Sequence, residues 1–196
     1  MRYFWLSLKA IFIKDIVTEL RAKQVLPTMI VLGMLIVWVL RMASEAVPQS
    51  DAFIVIGPVA LWIAFLFAGL MAQERSFATE QKQDCIYALL LAPVDEGTIY
   101  LAKLFVNVVL LCIFEIIIVP VVIVAFRLNV SNWPSLIGVL ILGNFAISSV
   151  GTLFSAIVQL SRARGALLSI IVLVILMPIM IPATFSILLV FGAIPP

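Results

Sequence analysis

Residues 99–126 read IYLAKLFVNVVLLCIFEIIIVPVVIVAF, an apolar stretch that holds only two charged side chains, Lys103 and Glu115. A helix that crosses a bilayer needs about 20 mostly apolar residues, so this stretch is long enough to span a membrane with some tilt. Four further stretches qualify, at 25–42, 52–73, 134–158 and 166–193. Together they predict an all-α fold, a polytopic transmembrane helical bundle with about five spans in a single domain covering 1–196.

The composition excludes an ordinary soluble domain. Hydrophobic residues make up 65% of the 196-residue chain and charged residues only 11%, against about 45–50% and about 25% in soluble domains. The net charge of +2 is too small to indicate nucleic-acid binding. The chain has no histidine, and its two cysteines, Cys85 and Cys112, do not form a CxxC motif. These features predict no metal site.

The distribution of basic residues predicts the orientation. Lys and Arg are enriched in cytoplasmic loops. Ten of the 12 basic residues lie on one side: nine before the first span, between spans two and three, or between spans four and five, where Arg162 and Arg164 stand, and Lys103 just inside the third span. Only Arg41 and Arg127 lie on the other side. The N-terminus is therefore expected in the cytoplasm, and five spans would leave the C-terminus outside.

Residues 1–24 precede the first span and show an amphipathic helical pattern. On a helical wheel the apolar residues fall on one side, and Ser7, Lys14, Thr18 and Arg21 lie opposite. The apolar set is Trp5, Leu6, Phe12, Ile13, Ile16, Val17 and Leu20. The pattern favours an interfacial helix along the inner leaflet over a plain extension of the first span.

Proline marks the last span. Pro178 and Pro182 stand in the middle of 166–193, where they free backbone carbonyls and predict a kink or a break. A pair of half-helices with a re-entrant turn is one arrangement compatible with this pattern.

The cytoplasmic loop 74–98 is predicted to dock on another protein. A polar, helix-favouring run from Glu74 to Asp84 leads into an apolar patch that Pro93 closes. An amphipathic segment of this kind can lay its apolar side on a partner. A plain connector is the alternative, but it would not need Leu89, Leu90 and Leu91 exposed at a membrane surface.

Glu115 lies inside the third span, where an ionisable side chain is costly and normally faces the bundle interior or a cavity. It is interpreted as a structural residue at a helix contact, with substrate contact or a conformational latch as the alternative. Otherwise the spans are almost entirely apolar. Small residues in the fourth span predict close helix packing, namely Gly143, Ser148, Ser149, Gly151, Thr152 and Ser155.

The sequence predicts no enzyme activity for the chain alone. It contains no GxxxxGK[ST] motif to hold ATP phosphates, and no GxSxG or HExxH motif. Work driven by ATP would therefore need a partner subunit.

Several of these motifs resemble the cytochrome c maturation protein B (CcmB, haem exporter protein B) family. The resemblance covers about residues 1–190. It is carried by Glu74, Arg75, Phe77, Glu80, Leu89, Leu90, Leu91 and Pro93 in the loop, by Leu101-Ala102-Lys103, and by Arg164-Gly165-Ala166-Leu167-Leu168-Ser169. The Glu-Arg loop also occurs across exporter-type ABC permeases, whereas the Arg-Gly stretch is more particular to this family.

The chain departs from the family pattern in two respects. The family loop usually carries Gly and then Glu where this chain has Asp84 and Tyr87. The family also has six spans with both termini cytoplasmic, whereas five are counted here. Either a sixth span is truncated or the last stretch packs differently.

The resemblance implies an exporter-type ABC permease subunit for cytochrome c biogenesis. It would couple ATP hydrolysis on a partner to haem export or to release of a haem-loaded chaperone, with 74–98 as the coupling loop. The implied partners are a cytoplasmic ATPase (CcmA-like), a haem-handling membrane protein (CcmC-like), a small one-span subunit (CcmD-like), a haem chaperone (CcmE-like) and a second copy of this chain. No cofactor is expected on the chain itself.

Two other functions stay open at this point. One is the permease half of another ABC exporter, for a lipid-linked glycan or a small hydrophobic substrate. The other is a membrane scaffold that transports nothing. The expected location is the bacterial inner membrane, with the mitochondrial inner membrane as the alternative.

Overall fold

The structure, a computed structural model, describes residues 2–22, 24–46, 52–81, 96–160 and 166–192. In this part of the chain all regular structure is helical. The six helices are α1 (Arg2–Ala22), α2 (Val25–Glu45), α3 (Ala52–Gln81), α4 (Glu96–Ala125), α5 (Trp133–Leu160) and α6 (Ala166–Val190).

Five helices are long and apolar enough to cross a membrane. The qualifying segments are Val25–Glu45, Phe53–Gln73, Gly97–Ala125, Trp133–Ile157 and Ile170–Val190. The prediction of an all-α bundle with about five spans is thereby confirmed.

Helix α3 is the centre of the bundle, since it packs against α2, α4, α5 and α6. Successive spans run antiparallel. The Arg41 guanidinium near the end of α2 lies 4.4 Å from the centre of the Phe53 ring at the start of α3. Below, "the α1 end" means the end of the bundle where α2 and α4 begin and α3 ends.

Aromatic side chains fill the middle of the core. The rings of Trp62 and Phe65 on α3 meet edge to face with centroids 5.6 Å apart, and Phe65 meets Phe114 on α4 at the same distance. Such aromatic pairs add about 0.5–1.5 kcal/mol beyond the apolar area that they bury. The contact ties α3 to α4 at mid-membrane.

The turn after α4 is a Schellman motif. Arg127 takes a positive φ of 52°, the Leu128 N–H donates to the Ile123 carbonyl, and the Arg127 N–H donates to the Val124 carbonyl. Glycine is the usual residue at this left-handed position. The motif satisfies two of the carbonyls left open at the helix end and turns the chain towards α5.

The last span is not broken, because α6 continues as one helix through Pro178 and Pro182. The expected break and the pair of half-helices are therefore wrong, whereas the expected kink stays a prediction. Proline is tolerated in membrane helices when neighbouring groups compensate for the freed backbone. A proline frees the carbonyl four residues before it, here those of Val174 and Pro178. Thr184 and Ser186 donate at 2.8 Å each to the Met180 and Pro182 carbonyls, which are other carbonyls of the same helix.

The outer surface of the spans is apolar. On α6, exposed side chains recur every three or four residues and form one stripe: Ile170, Val174, Met177, Ile181, Phe185 and Leu189. Such a stripe would be unfavourable in water but suits lipid tails.

Candidate functional site

Polar side chains inside the membrane-spanning part gather between α4 and α5. We call this set the polar seam. It consists of Tyr100, Asn107, Cys112 and Glu115 on α4 and of Asn144, Ser148, Ser149 and Thr152 on α5. Interhelical hydrogen bonds of this kind hold membrane helices together.

The Asn144 side chain makes four hydrogen bonds in the polar seam. Its Nδ2 donates to Glu115 Oε2 at 3.4 Å, to Cys112 Sγ at 3.1 Å and to the Val108 carbonyl at 3.4 Å. Its Oδ1 accepts a hydrogen bond from the Ser148 hydroxyl at 3.3 Å. One amide therefore serves several groups on α4 at once.

Glu115 lies at this helix contact and is only 9% exposed. Its Oε2 faces Asn144, whereas its Oε1 is buried with no hydrogen-bond donor among the described residues. A buried polar atom of this kind is energetically expensive. Its suggested role as a substrate contact or a latch stays a prediction.

Two further bonds extend the seam towards the α1 end. Asn107 Nδ2 donates to Thr152 Oγ1 at 2.9 Å, and the Tyr100 hydroxyl donates to the Ser149 carbonyl at 3.1 Å. Asn107 and Thr152 are fully buried. Side-chain bonds thus join the two helices over about half the length of α4 and about a third of the length of α5.

Glu115 and the small residues Ser148, Ser149 and Thr152 were singled out from the sequence, but the amide side chains were not, because the spans were described as almost entirely apolar apart from Glu115. That description was wrong. Asn107, Asn144, Gln73 and Lys103 are also buried in the spans. The feature that could have predicted them is the presence of amide side chains inside apolar stretches. Such side chains form hydrogen bonds between membrane helices.

Small residues bring α5 close to α3, as the pattern in the fourth span predicted. A Cβ atom added to Gly143 would lie 2.2 Å from Trp62 Cη2, and one added to Gly151 would meet the Gln73 carboxamide. Gln73 Nε2 donates to the Ile147 carbonyl at 3.0 Å. A side chain from α3 therefore fills the space beside each of the two glycines.

An ion pair fastens α1 to α4. Asp15 Oδ2 lies 3.3 Å from Lys103 Nζ, and Asp15 Oδ1 lies 3.1 Å from Lys14 Nζ. The Lys103 side chain is 1% exposed and that of Asp15 is 12% exposed. Water therefore screens the Asp15–Lys103 pair little, and the pair fixes where α1 docks.

We expect Asp15→Asn to loosen α1 without unfolding the bundle. The substitution removes the negative charge beside Lys103, and hydrogen bonds to charged groups contribute about 1.5–3 kcal/mol. Hydrogen–deuterium exchange over residues 2–22 should then show an opening free energy lower by about 1–2 kcal/mol.

Glu45→Gln is the matched control, because it removes one carboxylate from the Arg41–Glu45 pair at the opposite end, where the two charged atoms lie 3.0 Å apart. It should leave exchange in α1 unchanged. Equal exchange in wild type and Asp15→Asn would contradict the anchoring role of the pair.

The predicted coupling loop is described in part. Helix α3 continues past the span end at Gln73 as far as Gln81. The predicted residues Glu74, Arg75, Phe77 and Glu80 lie on this extension. At 1.5 Å per residue the extension is about 12 Å long. Leu89, Leu90, Leu91, Pro93, Arg162 and Arg164 lie outside the described residues.

Within the described ranges, the arrangement is suited to holding helices together. They contain no group of three or more His, Cys, Asp or Glu side chains placed to hold a metal ion. The polar seam joins α4 to α5, and the ion pair joins α1 to α4. Among the described helices that span, α3 continues furthest past the end of its span, by eight residues.

Comparison with known proteins gives two matches. The family model described as CcmB protein matches residues 6–193. Heme exporter protein B of Haemophilus influenzae (strain ATCC 51907 / DSM 11121 / KW20 / Rd) is 28% identical over 129 residues, which cover 66% of this chain and 58% of that protein. The chain thus spans less than two thirds of the length of this relative.

Proposed function

Because the chain belongs to the CcmB protein family, we propose that it is the permease-like membrane subunit of an ABC-type complex for cytochrome c biogenesis. It would couple ATP hydrolysis on a partner to haem export or to release of a haem-loaded chaperone. The observation that carries this proposal is the family match over residues 6–193. The name of the relative, Heme exporter protein B, agrees with it.

The α3 extension supports a coupling role. A partner ATPase that contacts residues 74–98 would push on Glu74–Gln81, which continue the helix that spans the membrane. Because α3 packs against α2, α4, α5 and α6, its displacement reaches the whole bundle. We propose that this motion is what the complex uses to move haem or to release its chaperone.

In this proposal the chain itself binds no cofactor. ATP sits on a CcmA-like subunit in the cytoplasm, and haem is handled by CcmC-, CcmD- and CcmE-like partners. The absence of histidine supports this division, since histidine is a frequent axial ligand of haem iron. Two copies of the chain, in the inner membrane with the α1 end towards the cytoplasm, complete the proposed assembly.

The direct test is to purify the tagged chain in mild detergent from its native membrane and to identify what comes with it. An ATPase together with haem-handling cytochrome c maturation proteins is the expected result. An ATPase without them would favour a different exporter, and no ATPase at all would favour a membrane scaffold. Either of these two results would overturn the proposed function.

Charge reversal in the extension should uncouple the complex. We expect Glu74→Lys with Glu80→Lys to leave membrane insertion intact but to lower cytochrome c maturation by about tenfold or more, since like-charge contacts at an interface cost several kcal/mol. The readouts are mature cytochrome c and the ATPase rate of the purified complex.

Arg127→Glu is the control, because it reverses a charge at the opposite end of the bundle, where Arg127 is exposed. It should behave like the wild type. Normal maturation in the Glu74→Lys/Glu80→Lys variant would show that these two residues do not couple the ATPase to the membrane helices.

A further inference from the structure

Helix α1 presents three different faces. Half-buried residues that recur every three or four positions, such as Leu8, Ile11, Asp15 and Glu19, form the face that packs mainly on α4. A second face is apolar and exposed: Trp5, Leu6, Ile13, Val17 and Leu20. Of the apolar arc expected to face lipid, Phe12 and Ile16 are instead half-buried beside the packed face.

The third face is polar and exposed, with Lys14, Thr18 and Arg21 one helical turn apart. The Lys14 side chain is 52% exposed even while it lies near Asp15. Lys9 is also exposed and lies in the apolar sector, where its long stem can reach past the apolar side chains.

The charges of α1 are sorted by sign. The two acidic side chains, Asp15 and Glu19, lie half-buried on the face that packs against the bundle, whereas Lys9, Lys14 and Arg21 are exposed. Pairing with Lys103 accounts for the position of Asp15, but it does not account for the exposed position of Lys14 and Arg21 on the third face. A negatively charged surface next to the exposed face would favour it.

From this sorting we infer that α1 binds anionic phospholipids at the α1 end of the bundle, with Lys14 and Arg21 on the headgroup phosphate and the apolar face against the acyl chains. A bilayer necessarily adjoins α1, because α1 docks on the membrane-spanning helix α4 through Lys103. The apolar face of five large side chains selects a lipid over a free phosphate. This inference does not depend on the proposed function.

Native mass spectrometry of the full chain in detergent can test it by titration with phosphatidylglycerol and with phosphatidylcholine. A basic residue near an anionic surface contributes about 1 kcal/mol, or about fivefold in affinity. We expect the first phosphatidylglycerol to bind the wild type about tenfold or more tightly than phosphatidylcholine. Glycerol 1-phosphate should not displace it, because it has no acyl chains.

Lys14→Gln/Arg21→Gln and Arg127→Glu form a matched pair of variants. Each lowers the net charge from +2 to 0, the first by removing two positive charges and the second by replacing one positive with one negative charge. We expect the α1 variant to lose the preference for phosphatidylglycerol and the Arg127→Glu variant to keep it, with helicity and elution of both unchanged. Equal lipid affinities in the wild type, an equal loss in both variants, or displacement by glycerol 1-phosphate would overturn the inference.

Discussion

Replacing Asn144 with leucine is expected to lower the stability of the bundle by about 2–4 kcal/mol. An interhelical hydrogen bond in a membrane contributes on average only about 0.6 kcal/mol. Here, however, one substitution removes the donor that faces Glu115 and Cys112 and the acceptor of Ser148. Removing one partner of a buried hydrogen bond costs about 1–3 kcal/mol for each group left unsatisfied, and more where that group is charged.

A double-mutant cycle with Glu115→Leu tests this explanation. When both polar partners are replaced with apolar side chains of similar shape, the net change is often small. We therefore expect the double variant to be more stable than Asn144→Leu alone, with a coupling free energy of about 1 kcal/mol or more. The measurement is equilibrium unfolding by steric trapping in bicelles. Strictly additive effects would mean that Asn144 does not compensate Glu115.

Gly143→Leu should have a similar effect and lower the free energy of unfolding by about 3 kcal/mol. Its Cβ alone would lie 2.2 Å from Trp62 Cη2, and Trp62 is 2% exposed. The indole packs on Phe65, which packs on Phe114, so it has little room to move. Extra atoms in a well-packed interior cost about 1–3 kcal/mol, and leucine adds four carbons.

Gly138→Leu is the matched control on the same helix, because a Cβ at Gly138 meets no atom within 4 Å. Its unfolding free energy should stay within about 0.5 kcal/mol of the wild type. A similar loss in both variants would point to a general effect of leucine on α5. No loss in Gly143→Leu would mean that Trp62 moves aside easily.

The sequence was sufficient to predict the five spans, because a bilayer imposes both length and apolar composition on any helix that crosses it. The close approach at Gly143 and Gly151 was predictable for a similar reason. A small residue inside a span leaves room for a neighbouring helix, although the sequence does not say which side chain fills that room.

What the sequence could not provide is the pairing of polar groups. Asn144 and Glu115 are 29 positions apart, and Asp15 and Lys103 are 88 apart, so only the folded arrangement shows that they meet. The prolines of α6 do not break the helix, although a break was one of the two expected outcomes. Their effect on a helix depends on what surrounds it, and here α6 remains one helix.

Helix α3 extends by nearly equal lengths on both sides of one close contact. Its close contact at Gly69, where an added Cβ would lie 2.6 Å from a methyl group of Ile147, is about 18 Å from the protruding end at Gln81 and about 17 Å from Pro58. A tilt of the helix about this contact would move its Gln81 and Pro58 ends by nearly equal distances in opposite directions. Beside Pro58, Gly57 faces Phe126 and Leu128 in the turn after α4. If a partner ATPase pushes on the Gln81 end, as proposed, a tilt about Gly69 would move the Pro58 end by a similar distance in the opposite direction.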